Sequence, residues 1–332
     1  MYEAFYELAE DPFRLTPDAR FAFAHPSYAK ARAYLQYGLL RGEGFVAITG
    51  EPGSGKTTLI EAMLAEVPRS VQVTRLIASE LEAEDLLRMV AYAIGLTEFH
   101  QSKATLLHQI HERLVEMREG GRRGALIVDE AQGLDVRALE ELRLLTNLAD
   151  REGPLLQIIL VGQEQLREML KRPELEQLRG RMIAAYHLRP MTSDETRDYI
   201  VHRLTTADWK GDPDLSDGVV RIVHHAAGGN PRRVNLICSR LLLHGYVGSK
   251  HHLVVADIRE VLEEMQEEEL ANWDESLGQL VETEAAEGRE EQPRLAVAAG
   301  VQGAAVPGSG EREAGPRPPP RGATGPATRP QS

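Results

Sequence analysis

Phe45-Val46-Ala47-Ile48-Thr49-Gly50-Glu51-Pro52-Gly53-Ser54-Gly55-Lys56-Thr57-Thr58-Leu59-Ile60 is the stretch on which the reading of this chain turns. Its first five residues are a short apolar run bounded by glycines, the pattern of a buried strand. Gly50 to Thr57 then matches the phosphate-loop spacing in full, a glycine and four residues followed by Gly-Lys-Thr. Glycines let backbone N–H groups converge on phosphate oxygens, and the helix that follows points its positive end at them. Lys56 is placed to reach β- and γ-phosphates, and Thr57 to put its hydroxyl on Mg²⁺. Leu59, Ile60, Met63 and Leu64 mark the required amphipathic helix, which ends before Pro68.

Working outward, residues 1–25 read as an irregular arm that packs on the core, because a solvated tail would not hold Phe5, Tyr6, Phe13, Phe21 and Phe23. Pro26 opens a helical pattern with Ala31, Leu35 and Leu39 on one face. Strand patterns at 71–77, 125–128, 155–161 and 183–188 alternate with helical ones at 82–94, 102–119 and 136–148. The alternation predicts an α/β domain over 26–190, a largely parallel five-stranded sheet covered on both faces. From about 193 strand signals stop, and helical patterns at 193–207, 216–227, 231–247 and 255–268 predict an all-helical domain over 191–270. Residues 271–332 turn acidic and then rich in Pro, Gly, Ala and Arg, which predicts a disordered tail.

The net charge of −13 is concentrated near the C-terminus: residues 259–291 carry −11 and 292–332 carry +3, leaving about −5 for 1–258. No overall basic field supports nucleic-acid binding, although a local patch stays open. The one cysteine, Cys238, lies in an apolar run and reads as a buried small hydrophobe in a reducing compartment. Neither a signal-peptide pattern nor a run of about 18 apolar residues is seen, so a cytoplasmic protein without a membrane span is expected.

Beyond the phosphate loop, four further features carry chemistry, and a fifth invites a reading that it does not support. Asp129-Glu130 ends a strand about 70 residues after the loop, where one carboxylate can meet Mg²⁺ through water and the next can polarise the attacking water. Gln163 follows the fourth strand and could orient that water or touch the γ-phosphate, or simply begin a surface helix. Arg179 and Arg181 stand just before the fifth strand, where an arginine could be presented to a neighbouring subunit's nucleotide or be a salt-bridged surface residue. Gly228-Gly229-Asn230-Pro231-Arg232 starts a helix and leaves Arg232 able to fold back onto phosphates. The pairs His224-His225 and His251-His252 lack a third ligand at any recognisable spacing, so no metal site is assigned to them.

Together these motifs resemble an AAA+ ATPase. The detail resembles the ExeA/GspA-like secretion ATPases: Phe5-Tyr6, the run Pro12 to Phe21, Tyr37-Gly38-Leu39, Leu155-Leu156-Gln157, Val161-Gly162-Gln163 and Tyr186-His187-Leu188-Arg189-Pro190 are similar to that family. Within it, Met1 to Tyr6 and Trp209-Lys210-Gly211-Asp212-Pro213 look most like the ATPase of exosortase loci. The resemblance covers about residues 1–268. It implies a Mg²⁺-dependent ATPase with a P-loop NTPase fold, an AAA+ core and a C-terminal helical lid. It implies Gly50, Glu51, Pro52, Gly53, Ser54, Gly55, Lys56, Thr57, Thr58 and Arg232 as ATP contacts, and Thr57 and Asp129 at the metal. Glu130, Lys56, Gln163 (sensor 1) and Arg181 (arginine finger, with Arg179 in reserve) are the implied catalytic set, and Arg232 is sensor 2. Homo-oligomerisation is implied, with secretion or polysaccharide-export proteins as partners and a place peripheral to the inner membrane through one of them. A DNA-associated regulator similar to transposition ATPases is the alternative. Two departures stand out: larger members continue into a membrane span and a peptidoglycan-binding domain that are not read here, and Gly133 stands where an asparagine is expected.

Overall fold

The continuous apolar run at 45–50 becomes β1 (Phe45–Gly50), in which every residue is buried, as a strand covered on both faces requires. The computed structural model of the protein describes residues 1–78, 82–97, 102–271 and 273–287. Four more strands join β1: β2 (Val71–Ile77), β3 (Arg123–Asp129), β4 (Leu156–Gly162) and β5 (Met182–Leu188). All pair in parallel, in the order β2-β3-β4-β1-β5. Phe45 aligns with Ile158 of β4 and Met182 of β5, and Val128 of β3 with Leu160 of β4. Inserting β4 between β1 and β3 brings three strand ends side by side: the phosphate loop, Asp129-Glu130 and Gln163. Ligands of open parallel sheets bind in that crevice outside the carboxyl ends.

Helices cover both faces. On one lie α1 (Pro26–Arg41) and α2 (Lys56–Glu66), whose Ala31, Leu35, Leu59 and Ile60 pack on Ile48, Ile127 and Ile159. On the other lie α3 (Ala83–Ala93), α4 (Lys103–Glu119), α5 (Val136–Leu145) and α6 (Glu164–Leu170), which enclose Leu126, Val128, Ile158 and Leu160. The C-terminal region contains α7 (Ser193–Thr206), α8 (Asp217–Ala227), α9 (Pro231–Val247) and α10 (Val255–Glu267). A reciprocal capping box between Thr192 and Glu195 opens α7. No helix among the described residues is long and apolar enough to cross a membrane.

Three expectations change. The arm buries Tyr2, Tyr6, Leu8 and Phe13 in the cluster built by α7 to α10, so its first half packs on the C-terminal helices rather than on the α/β core. The C-terminal region is not purely helical, because Asp214–Leu215 and His252–Leu253 form a short parallel ladder. The expected disordered tail begins with a helix, α11 (Glu275–Glu287), that buries Leu277 and Val281 against the same cluster. Asp274 caps it by accepting the Leu277 N–H at 2.8 Å, and Glu284 pairs with Arg221 on α8. Acidic composition had masked an i, i+4 apolar pair that this region can bury. Residues 288–332 of the expected tail lie outside the described residues.

Candidate functional site

Between β1 and α2 the chain turns through Gly53 and Gly55 at φ +81° and +92°, a region where side chains are strained. Gly53 is needed a second way: a Cβ there would lie 2.6 Å from Arg232 Cβ and 2.8 Å from Asn230 Oδ1. The start of α9 therefore rests directly on the phosphate loop. Asn230, 4% exposed, works in both directions. Its Oδ1 caps α9 by accepting from Arg232 N at 3.1 Å and Arg233 N at 3.5 Å, while its Nδ2 donates to Pro52 O at 2.8 Å. Arg232 N also donates to Gly53 O at 3.3 Å. Gly229 makes the approach possible, since a Cβ on it would lie 2.1 Å from Met191 O.

Lys56 is buried, and its ammonium donates to Gly50 O and Glu51 O, both at 2.9 Å. Burial pulls its pKa down, against the opposing pull of Glu130, Asp129 and Glu51. Among the described residues these two carbonyls are its acceptors, which leaves a third donor for an anion. Ser54 Oγ is buried with no partner among the described residues. A loop presenting an unpaired hydroxyl, a desolvated ammonium and converging backbone fits a polyphosphate.

Asp129 and Glu130 sit at the end of β3 in different environments. Asp129 is buried; its Oδ2 takes Arg75 Nη2 at 2.5 Å and its Oδ1 accepts Glu130 N at 2.9 Å. Arg75 on β2 also reaches Glu61 of α2 at 2.7 Å, tying Asp129 to the helix that follows the phosphate loop. A carboxylate has about four lone-pair positions, so Asp129 retains capacity toward a hydrated cation, and the exposed hydroxyl of Thr57 is the second oxygen donor expected there. Glu130 adopts φ +53° at the turn out of β3. Its Oε2 accepts from Gln132 Nε2 and, at 3.1 Å, from Gln163 Nε2, while Gln132 Oε1 accepts the Gln163 N–H at 2.9 Å. Donation from Gln132 first, then from Gln163 and the Lys56 charge, holds the Glu130 carboxyl below the usual glutamate range in spite of burial.

One cavity of about 260 Å³ gathers Pro52 to Thr58, Glu130, Gln163 and Arg232. Its other wall is the arm, from Arg14 to His25, and Tyr28 of α1, with Tyr199 and Arg203 of α7. Arg203, buried, donates to Pro12 O and at 3.0 Å to Arg14 O, and lies 4.6 Å from the Phe21 ring centre, pinning the arm to α7.

Of the predicted residues, Gly50 and Glu51 do not line the cavity and serve it through the carbonyls that hold Lys56. Asp129 does not line the cavity either. Arg181 is remote: it precedes Met182, which aligns with Phe45 at the far end of β1, and its Nη1 donates to Thr146 at 2.9 Å. Arg179 caps the region after α6, donating to Leu170 O at 2.8 Å and Arg172 O at 2.6 Å. Sequence reasoning assigned no role to Asn230, Gln132 or Arg75. The Asn-Pro dipeptide before a helical run was a legible capping signal, whereas Gln132 meets Gln163 and Arg75 meets Asp129 only because the ends of different strands come together.

Sheet order, phosphate loop and helical lid define the fold as that of the AAA+ P-loop NTPases, and residues 40–170 match the AAA domain family (AAA_22). The chain is similar to the general secretion pathway protein A of Aeromonas hydrophila, at 36% identity over 259 residues, covering 78% of this chain and 47% of that protein. It is 30% identical over 124 residues to the Mu-like prophage FluMu DNA transposition protein B of Haemophilus influenzae, covering 37% of this chain and 39% of that protein. The chain thus spans less than half the length of the curated relatives it matches. Among solved structures, Cdc6p of Pyrobaculum aerophilum superposes with a TM-score of 0.56 at 17% identity, covering 75% of this chain and 71% of that one.

Proposed function

We propose that this chain is a Mg²⁺-dependent ATPase that works as an assembly of copies. The observation that carries the reading is the single cavity that unites phosphate loop, Glu130, Gln163 and Arg232. Lys56 exchanges its two carbonyls for β- and γ-phosphate oxygens. Glu130, ionised and held by two glutamine amides, polarises the attacking water. Gln163 touches Glu130 and faces the same cavity, so it links that carboxylate to the γ-phosphate end. Arg232, fixed by the Asn230 cap, adds positive charge from the lid. When bound, Mg²⁺ offsets charge on the phosphate oxygens, and Thr57 and Asp129 are the residues that would hold it.

Arg181 is proposed to serve a neighbouring copy. It lies beyond the far end of β1, about 15–20 Å along the strand from its own phosphate loop at ~3.3 Å per residue. Arg179 is the weaker candidate because two carbonyls already occupy its guanidinium. The test mixes Arg181→Ala with Glu130→Gln. Each alone binds ATP and turns over poorly, and the mixture recovers activity because one interface pairs an intact Glu130 with an intact Arg181. Charge supplied in trans to phosphoryl transfer is worth up to ~10³–10⁵ in rate. Activity independent of protein concentration, with no recovery in the mixture, would remove Arg181 from the mechanism.

The biological setting proposed is a cytoplasmic motor or switch, held at the inner membrane through a partner, that energises secretion or surface-polysaccharide export. Similarity to general secretion pathway protein A supports it. The narrower exosortase-linked role rests on the resemblance at Met1 to Tyr6 and Trp209 to Pro213 alone. A DNA-associated regulator is the second reading, favoured by the identity with DNA transposition protein B and opposed by the charge of about −5 on residues 1–258. Stimulation of turnover by duplex DNA at moderate salt would decide for it.

A further inference from the structure

Three adjacent strands carry one row of residues at the site's edge: His187 on β5 aligns with Thr49 on β1, and Thr49 with Gly162 on β4. Thr49 is followed by Gly50, whose carbonyl holds Lys56, and Gly162 by Gln163 and Glu164. His187 ties these two ends together through side chains. Its Nδ1 lies 3.0 Å from the buried hydroxyl of Thr49 and 3.3 Å from Oε2 of Glu164, in the first turn of α6. The other oxygen of Glu164 accepts from Arg167 at 3.0 Å, so each carboxylate oxygen has its own partner. A lone pair on Nδ1 would face the Glu164 carboxylate and repel it. The ring proton is therefore assigned to Nδ1, and that N–H is shared between the Thr49 and Glu164 oxygens.

We propose that His187 is a positioning residue for ATP hydrolysis: by bridging Thr49 and Glu164 it sets Gln163, and through Gln163 the Glu130 carboxylate, against the phosphate loop. The inference rests on the ATPase reading of the site and adds to it a residue that does not line the cavity. Gln163 is held from the β3 side by Gln132, which accepts its N–H at 2.9 Å, and it donates to Glu130 at 3.1 Å. The bridge from His187 holds the same turn from the β1 side, through the next residue. Without it the start of α6 is free to shift relative to β1, and the water that Glu130 polarises shifts relative to the γ-phosphate. A misplacement of about 1 Å at the reacting atoms can cost up to ~100-fold in rate. Phosphate binding rests instead on the loop's own backbone, on Lys56 and on the Asn230 tether. The bridge thus bears on turnover and leaves affinity alone.

Single-turnover hydrolysis at saturating ATP and a fixed protein concentration, run beside equilibrium ATP titration, tests this. His187→Phe keeps a ring on β5 and lacks the N–H; its hydrolysis rate should fall about tenfold with ATP affinity unchanged. His187→Asn, whose amide places an N–H near the position of Nδ1, should recover most of that rate. Glu164→Ala should match His187→Phe, and the double variant should be no slower than either, because all three remove one bridge. A histidine that only packs β5 would leave the rate unchanged, or lower it in the Asn and Phe variants alike; either result overturns the proposal. Losses that multiply in the double variant overturn it too, as does a fall in ATP affinity that matches the fall in rate. Glu164 is half-exposed, so its truncation opens no cavity, and a full rate in Glu164→Ala refutes the bridge even where His187→Phe fails to fold. An unaltered chain that neither binds nor hydrolyses ATP would sink the ATPase reading itself, an outcome distinct from turnover indifferent to the bridge.

Discussion

Asn230 joins two functions that a substitution series can separate. Its Oδ1 caps α9, and its Nδ2 ties that cap to Pro52 O at 2.8 Å. Removing a side-chain N-cap costs about 1 kcal/mol. Losing the bond to Pro52 costs about 1 kcal/mol more, the usual net worth of one hydrogen bond. Asn230→Ala should therefore destabilise the nucleotide-free chain by about 2 kcal/mol. Asn230→Ser keeps a competent cap and loses only the tether, at about 1 kcal/mol. Both release the phosphate loop from the lid, so both should weaken ATP binding about fivefold, the equivalent of roughly 1 kcal/mol of lost pre-organisation. Urea unfolding without nucleotide measures the first pair of numbers, and ATP titration the second. Equal stability losses in the two variants would mean that the cap contributes nothing. Unchanged ATP affinity in both would mean that the lid does not hold the loop in its binding shape, and the account of Gly53 packed beneath Arg232 would fail with it.

Two further outcomes follow from the structure. A chain ending at residue 274 should be about 2 kcal/mol less stable in urea than one ending at 287. It gives up the burial of Leu277 and Val281, at up to ~1.5–3 kcal/mol each, less the entropy of ordering α11; equal stability would show that α11 docks without contributing. Gln132→Ala should raise the pH at which kcat/KM fails on the acid side, because the Glu130 pKa is depressed chiefly by that amide and the ionised base survives into acid only while the amide is present. An acid limb that does not move would take Glu130 out of the role of base.

What was legible in the chain was what is contiguous in it. The phosphate loop needs only its own glycines, lysine and threonine, and the strand before it announces itself as an unbroken apolar run. The strand–helix alternation likewise predicted every strand of the main sheet to within two residues at each end. Sheet order was not written locally. Gln163 matters because β4 lies between β1 and β3, and Arg75 reaches Asp129 because β2 flanks β3, a pairing 54 residues apart in the chain.

The tail shows a different failure. Leu277, Val281 and Glu284 stand at helical spacing after a capping Asp274, a pattern present in the sequence but outweighed by the acidic residues around it. Composition argues about an isolated segment, whereas α11 is stable only because α8 and α10 offer it an apolar seat and Arg221 neutralises Glu284. His25 lies at the same limit. Nothing in Ala24-His25-Pro26 distinguishes a surface imidazole from one buried in the wall of the cavity. That distinction arises when Arg203 draws the arm down onto α7, so that the arm becomes one wall of the cavity.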